Sequence, residues 1–211
     1  MIKHIFFDVA GTLLGKPDLV QVIQKTLANF DHQVSQDEIR KKHKLLSEVI
    51  HFPDRTDEVF YKKFNTELLY LLGIIPTDKL CDAIFKSCTY LPWFPFDDTN
   101  ILSELKLPLG VISNFNTSLK DKLNQFFGPI FQHVYASEEL GVAKPDLAFF
   151  SKALELSSLQ PKEVLYIGDS VKLDVAPTSL LGIKTLLIDR DNFYSSMPNR
   201  ITHLSQIKEY L

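Results

Sequence analysis

The chain has 211 residues, with 23 Lys and Arg against 26 Asp and Glu and a formal charge of −3. Apolar residues make up 45% and charged residues 23%, an ordinary globular balance that can build a core without disulfides or structural metal. These figures exclude disordered, collagen-like and transmembrane chains. They also give no basic bias toward nucleic acid or an anionic membrane. The length fits one domain with a sizeable insertion, or two small ones.

Ile2-Lys3-His4-Ile5-Phe6-Phe7 is a β-rich run that stops at Asp8 and is followed by the breaker Gly11. It reads as a buried strand delivering a carboxylate at its C-terminal end. Asp8 interrupts the apolar stretch Met1 to Leu14 and no small-residue cleavage site follows in register, so a leader peptide is not expected. From Lys16 to about Tyr90 the pattern turns helical, over roughly Asp18–Phe30, Ser35–His51, Thr56–Leu72 and Thr77–Cys88. Ser35 with Glu38 forms a capping-box pattern, Gly73 is a stop, and Pro53 and Pro76 punctuate the loops. Cys81 and Cys88 are seven apart, about 10 Å on one helix face and too far to bridge. They read as buried thiols in a reducing compartment, which makes the cytoplasm the expected location.

Leu91-Pro92-Trp93-Phe94-Pro95-Phe96-Asp97-Asp98 reads as a rigid return crossing. Strand and helix then alternate: helix Asn100–Leu105, strand Leu109–Ser113, helix Thr117–Phe127, strand His133–Ser137 and helix Asp146–Leu156. Strand Val164–Gly168, helix Lys172–Leu181, strand Lys184–Asp189 and a short strand or turn near Ile201–Leu204 complete the chain. Short β-rich runs separated by helices imply an α/β fold, a doubly wound parallel sheet with right-handed crossovers. The all-helical block after the first strand is expected to form a separate inserted domain, 16–92, on a core of 1–15 and 93–211.

In open parallel sheets, function gathers at the carboxyl ends of the strands. Reading those ends gives Asp8, then Ser113-Asn114, then Gly168-Asp169-Ser170, with Asp174 close behind and Lys144 before Pro145 at a helix start. Singly, each has a plain structural reading as turn former, cap or solvated lysine. Their order at successive strand ends is what singles them out. Three carboxylates offer hard oxygen ligands suited to Mg²⁺, and a lysine with a hydroxyl beside them suits a phosphoryl group.

These residues resemble the four motifs of the haloacid dehalogenase-like hydrolases. Asp8-Val9-Ala10-Gly11-Thr12 is similar to the first, Ser113 in Val111-Ile112-Ser113-Asn114 to the second, Lys144-Pro145 to the third, and Gly168-Asp169 with Asp174 to the fourth. The resemblance covers residues 1–15 and about 93–205, with the helical block where that family carries its cap. It implies an Asp8 nucleophile forming an aspartyl-phosphate that water hydrolyses. It implies phosphoryl oxygens held by Ser113, Asn114 and Lys144, with Lys144 also screening Asp8. The Mg²⁺ ligands would be Asp8, the Ala10 carbonyl, Asp169 and Asp174. A cap closing over the strand ends would restrict the partner to a small phosphorylated molecule.

One position departs from the pattern. The family's phosphatases carry a second Asp in the first motif, as acid to the leaving group and base to the water, where this chain has Ala10. Alanine keeps a carbonyl for metal but loses the proton transfer, worth about 10² to 10⁴ in rate. Weak action on unactivated alkyl phosphates is therefore expected. Two branches of the family also lack that Asp. Haloacid dehalogenases do not keep the acidic pair matched here by Asp169 and Asp174, which argues against that chemistry. Phosphonoacetaldehyde hydrolases do carry Ala there, with Mg²⁺ and a Schiff-base cap lysine, for which Lys41, Lys42 and Lys44 are the candidates. A non-catalytic binding protein is the remaining alternative. His51, Phe52, Trp93 and Phe94 are the candidate substrate contacts.

Overall fold

A computed structural model describes residues 1–50, 52 and 56–211. His51 and Pro53, expected as a substrate contact and a loop break, lie outside the described residues. The chain divides into two compact units: Met1–Gly15 with Phe94–Leu211, and Lys16–Trp93. Trp93, expected with the first unit, belongs to the second.

The first unit opens with β1 (His4–Phe7), buried at every position, and β2 (Leu14–Gly15). After the inserted unit the chain returns through β3 (Phe94–Pro95) and a 3₁₀ helix over Asp97–Glu104. There follow β4 (Leu109–Ser113), α5 (Leu119–Phe127), β5 (Phe131–Ala136), α6 (Ser137–Leu140), α7 (Leu147–Ser157) and β6 (Val164–Gly168). A π-helical turn Val171–Val175, α8 (Ala176–Leu180), β7 (Lys184–Ile188), β8 (Arg200–Ile201) and a 3₁₀ helix over Leu204–Tyr210 complete it.

Six strands form one sheet in the order β5-β4-β1-β6-β7-β8, and every pair is parallel. The fold is therefore α/β, a doubly wound parallel sheet, as the alternation of runs requires. β1, β4 and β6 are buried on both faces, which is why they read as unbroken apolar runs rather than alternating ones. The chain winds outward through β4 and β5 on one side of β1, then through β6, β7 and β8 on the other. The carboxyl ends of β1 and its neighbours thus flank the crevice where winding reverses. Helix α7 places Phe149, Phe150 and Ala153 on one face, at helical spacing, against Phe6 of β1 and Tyr166 of β6.

The second unit contains α1 (Leu19–Ala28), α2 (Gln36–Val49), α3 (Glu58–Leu71) and α4 (Asp78–Cys88). Ser35 caps α2 by accepting from the Glu38 amide at 3.2 Å. Asp57 and Thr77 cap α3 and α4 in the same way, and Gly73 ends α3 in the left-handed region at φ +73°. Ile23, Leu27, Ile39, Phe64, Leu68 and Ile84 make its core.

Four local expectations are corrected. The return crossing contains β3, paired antiparallel with β2; two-residue strands carry no period to read. The helix expected at Asn100–Leu105 is a 3₁₀ helix beginning at Asp97. The single helix expected over Lys172–Leu181 opens with the π turn, because Pro177 has no amide to continue the ladder back into that turn. Cys81 is buried but Cys88 only partly so, and both thiols are free.

Candidate active site

Each strand end supplies one group. Asp8 leaves β1 with its amide donating to the Ile167 carbonyl of β6 at 2.9 Å. Ser113 ends β4, and its hydroxyl donates to Asp8 Oδ1 at 3.0 Å. Lys144 Nζ donates to that same oxygen at 2.6 Å and to Asp174 Oδ1 at 2.7 Å. Asp8, Ser113, Lys144 and Asp174 are all buried. Asp169, half-buried, completes a carboxylate cluster in which oxygens of Asp8, Asp169 and Asp174 lie within 4.8 Å of one another.

Two glycines make this density possible. A Cβ at Gly11 would fall on the Asp169 carboxylate, and one at Gly168 would fall on the Asp174 side chain. Gly11 is also left-handed, at φ +87°, where a side chain is strained. The turn after β6 aims Asp174 inward, its Oδ2 accepting from the Ser170 amide at 3.0 Å.

Asn114, expected among the phosphate binders, spends both ends of its amide on the Lys144 main chain. Its Oδ1 accepts from the Lys144 amide at 2.7 Å, and its Nδ2 donates to the Lys144 carbonyl at 2.9 Å. It fixes the segment that carries the lysine. Tyr166 was not singled out by sequence, yet its hydroxyl lies 2.8 Å from Asp174 Oδ1 and 3.1 Å from the Ile112 carbonyl, and accepts from Lys144 Nζ at 3.3 Å. The signal available was a polar-tipped aromatic two residues before Gly168, on the same strand face.

Burial pushes the Asp8 carboxyl up to about 6, Lys144 opposes this, and the Asp174 and Asp169 charges add to it. Burial alone would lower the Lys144 ammonium, but Asp174 and Asp8 outweigh it and hold it above the ordinary lysine range. Burial and the same carboxylates raise the Tyr166 hydroxyl well above its usual value. Three carboxylates against one ammonium leave an excess of negative charge in a largely buried site. The donor set, all hard oxygen and closely grouped, fits a divalent cation that would offset that excess.

Ala10 is exposed, so its methyl is not part of a packed wall. Phe52, half-buried, packs on Phe60 and Phe64 within the helical unit, at ring-centroid distances of 4.8 and 5.4 Å. Trp93 is half-buried, its ring 5.4 Å from Lys16 Nζ, and Phe94 is exposed. Lys41 is exposed, and Lys44 pairs with Glu48 one turn on, at 3.3 Å. Among the described residues, no helix is long and apolar enough to cross a membrane.

The chain is 30% identical over 204 residues to a glyceraldehyde 3-phosphate phosphatase of Methanocaldococcus jannaschii, covering 89% of this chain and 85% of that one. It is 27% identical over 209 residues to the glyceraldehyde 3-phosphate phosphatase of Methanothermobacter thermautotrophicus, covering 90% and 87%. The fold superposes on a magnesium-bound HAD-hydrolase of Bacillus subtilis with a TM-score of 0.69 at 19% identity, covering 100% of this chain and 98% of that one. The family model for haloacid dehalogenase-like hydrolases matches residues 2–177. That span holds most of the chain and every motif position from Asp8 to Asp174, so the chain belongs to the haloacid dehalogenase-like hydrolases.

Proposed function

We propose that this hydrolase removes the phosphoryl group from a small phosphorylated metabolite, with Asp8 as nucleophile and Mg²⁺ as cofactor. The observation that carries the reading is Lys144 Nζ, donating at once to Asp8 and Asp174 while Ser113 donates to the same Asp8 oxygen. One Asp8 oxygen is thereby held by two donors, and the carboxylate is oriented for attack on phosphorus, forming an aspartyl-phosphate. Ser113 and Lys144 can then turn to the phosphoryl oxygens, whose charge they match. Asp8, Asp169, Asp174 and the Ala10 carbonyl are the groups that would hold Mg²⁺, which supplies charge neutralisation for the incoming phosphate.

The relatives described above support this substrate class, both being named as glyceraldehyde 3-phosphate phosphatases. A phosphorylated three-carbon compound is the first substrate to test. Ala10 leaves the leaving-group oxygen without the family's acid, so turnover of alkyl esters is slow and esters with good leaving groups are favoured. A panel of phosphorylated metabolites with p-nitrophenyl phosphate, assayed with Mg²⁺ and with chelator, tests the reading. Mg²⁺-dependent phosphate release supports it, and none from any ester removes it.

Ala10 also favours a second reading, cleavage of a phosphorus–carbon bond through a Schiff base on a lysine of the helical unit. Lys44 is engaged by Glu48, which leaves Lys41 and Lys42 as the candidates. Borohydride trapping with phosphonoacetaldehyde separates this reaction from ester hydrolysis.

A further inference from the structure

We infer that Arg190 is a positioning residue for the reaction, holding the turn that carries Asp8 and Ala10. The inference rests on the phosphatase reading of Asp8. Arg190 stands two residues beyond β7, at the same carboxyl edge of the sheet as Asp8, Ser113 and Asp169. Its Nη1 donates to the Gly11 carbonyl at 2.8 Å and its Nη2 to the Thr12 carbonyl at 2.9 Å. The other side of the guanidinium is fixed by Asp98, with Nε to Oδ2 at 3.0 Å and Nη2 to Oδ1 at 2.8 Å. The Phe96 ring packs 4.0 Å from its centre. Asp98 is itself buried and tied by the Leu204 amide at 3.1 Å.

The position of these bonds makes the residue more than a structural clip. The turn after Asp8 closes on itself through Gly11 N to Leu14 O at 2.8 Å and Leu13 N and Leu14 N to Val9 O at 2.9 and 2.8 Å. Those bonds shape the turn, and its two ends are tied to the rest of the unit by the Asp8 amide on the Ile167 carbonyl at 2.9 Å and the Phe96 amide on the Leu13 carbonyl at 3.1 Å. Between those ends the Gly11 and Thr12 carbonyls both accept from Arg190. Gly11 is also the residue against which the Asp169 carboxylate lies with no room for a Cβ. A shift of this turn therefore moves Ala10 relative to Asp169 and changes the aim of Asp8. Only a planar fork can bind a carboxylate and two carbonyls together; an ammonium can reach part of the set.

Arg190→Ala and Arg190→Lys test this, with kinetics on a phosphate ester and hydrogen exchange followed over residues 9–14 and over α7 as control. Arg190→Ala is expected to lower kcat at least tenfold, since misplacement of a reacting group by about 1 Å can cost 10², with KM within twofold of wild type. Arg190→Lys should fall between the two. Exchange over residues 9–14 should accelerate about tenfold or more in Arg190→Ala while α7 is unchanged. A kcat within twofold of wild type in a folded Arg190→Ala, or unchanged exchange over residues 9–14, overturns the inference. Should Arg190→Ala not fold, the same two readings on Arg190→Lys decide it. A wild type that hydrolyses no phosphate ester refutes the phosphatase reading instead, and the exchange comparison then decides alone whether Arg190 holds the turn.

Discussion

Ala10→Asp restores the side chain that the phosphatases of the family place at that position. The structure indicates what the change should cost and gain. Ala10 is exposed and borders a turn already shaped by Gly11 and Leu14, so the new carboxyl displaces nothing packed. Surface changes of that kind lie within about 0.5 kcal/mol of neutral. The larger cost is charge. A fourth carboxylate beside Asp8, Asp169 and Asp174, at roughly 6 Å and an effective dielectric of about 40, meets about 1.4 kcal/mol of repulsion per neighbour. Three such neighbours less the attraction of Lys144 leave about 3 kcal/mol, so the metal-free variant should melt about 6–12 °C lower, at roughly 2–4 °C per kcal/mol for a chain of this size, and Mg²⁺ should recover the loss. In the gain column, a restored general acid is worth about 10² to 10⁴. Hydrolysis of an alkyl phosphate should rise about tenfold or more relative to p-nitrophenyl phosphate, whose leaving group needs little protonation. Steady-state rates on the two esters at saturating Mg²⁺ give the ratio. If the ratio is unchanged while calorimetry shows Mg²⁺ still binding, Ala10 is not the missing acid.

Asp8→Asn should leave the melting curve near wild type and hold turnover below about 1% of it, since an amide cannot attack phosphorus; a larger residual rate removes Asp8 as nucleophile. Beryllofluoride or vanadate should bind only with Mg²⁺ present, because the carboxylate cluster repels anions without it, and equal binding in excess chelator would take the metal out of the site. Asn114→Ala should cost about 1–3 kcal/mol by leaving the Lys144 amide and carbonyl without partners, read by denaturant titration, and should lower kcat through the displaced lysine. His4 gives a pH test: burial, with His133 adding, holds its folded value down to about 4 against an ordinary 6.5. The unfolded chain therefore takes the proton first as pH falls. The stability is whole above pH 6.5 and drains away between 6.5 and 4, by up to about 3 kcal/mol. His4→Leu should flatten that slope in melting curves taken across the window, and an unaltered slope assigns the acid sensitivity to other groups.

Asp8, Ser113 and Asp169 were legible in the sequence for one reason. A buried strand of a parallel sheet is a short continuous apolar run, and the first polar residue after it marks its carboxyl end. Asp8, Ser113 and Asp169 are each such a residue, so their convergence follows from strand order alone. The helical insert was legible too, because Ser35, Thr77 and Gly73 act on neighbours three or four residues away. Local rules did not reach the groups that hold these residues in place. Asn114 grips Lys144 across 30 residues, and Arg190 reaches Gly11 across 179. Tyr166 reads as one more core aromatic until Lys144 and Asp174 are folded against its hydroxyl. Phe52 reads as a candidate substrate contact, and only the fold brings it against Phe60 and Phe64. The sequence determines which groups arrive at the edge of the sheet, since period and capping are short-range. Which of them share a proton, a charge or a carbonyl was decided only when distant segments packed together, because hydrogen bonds and burial act over ångströms in space and carry no trace of separation along the chain.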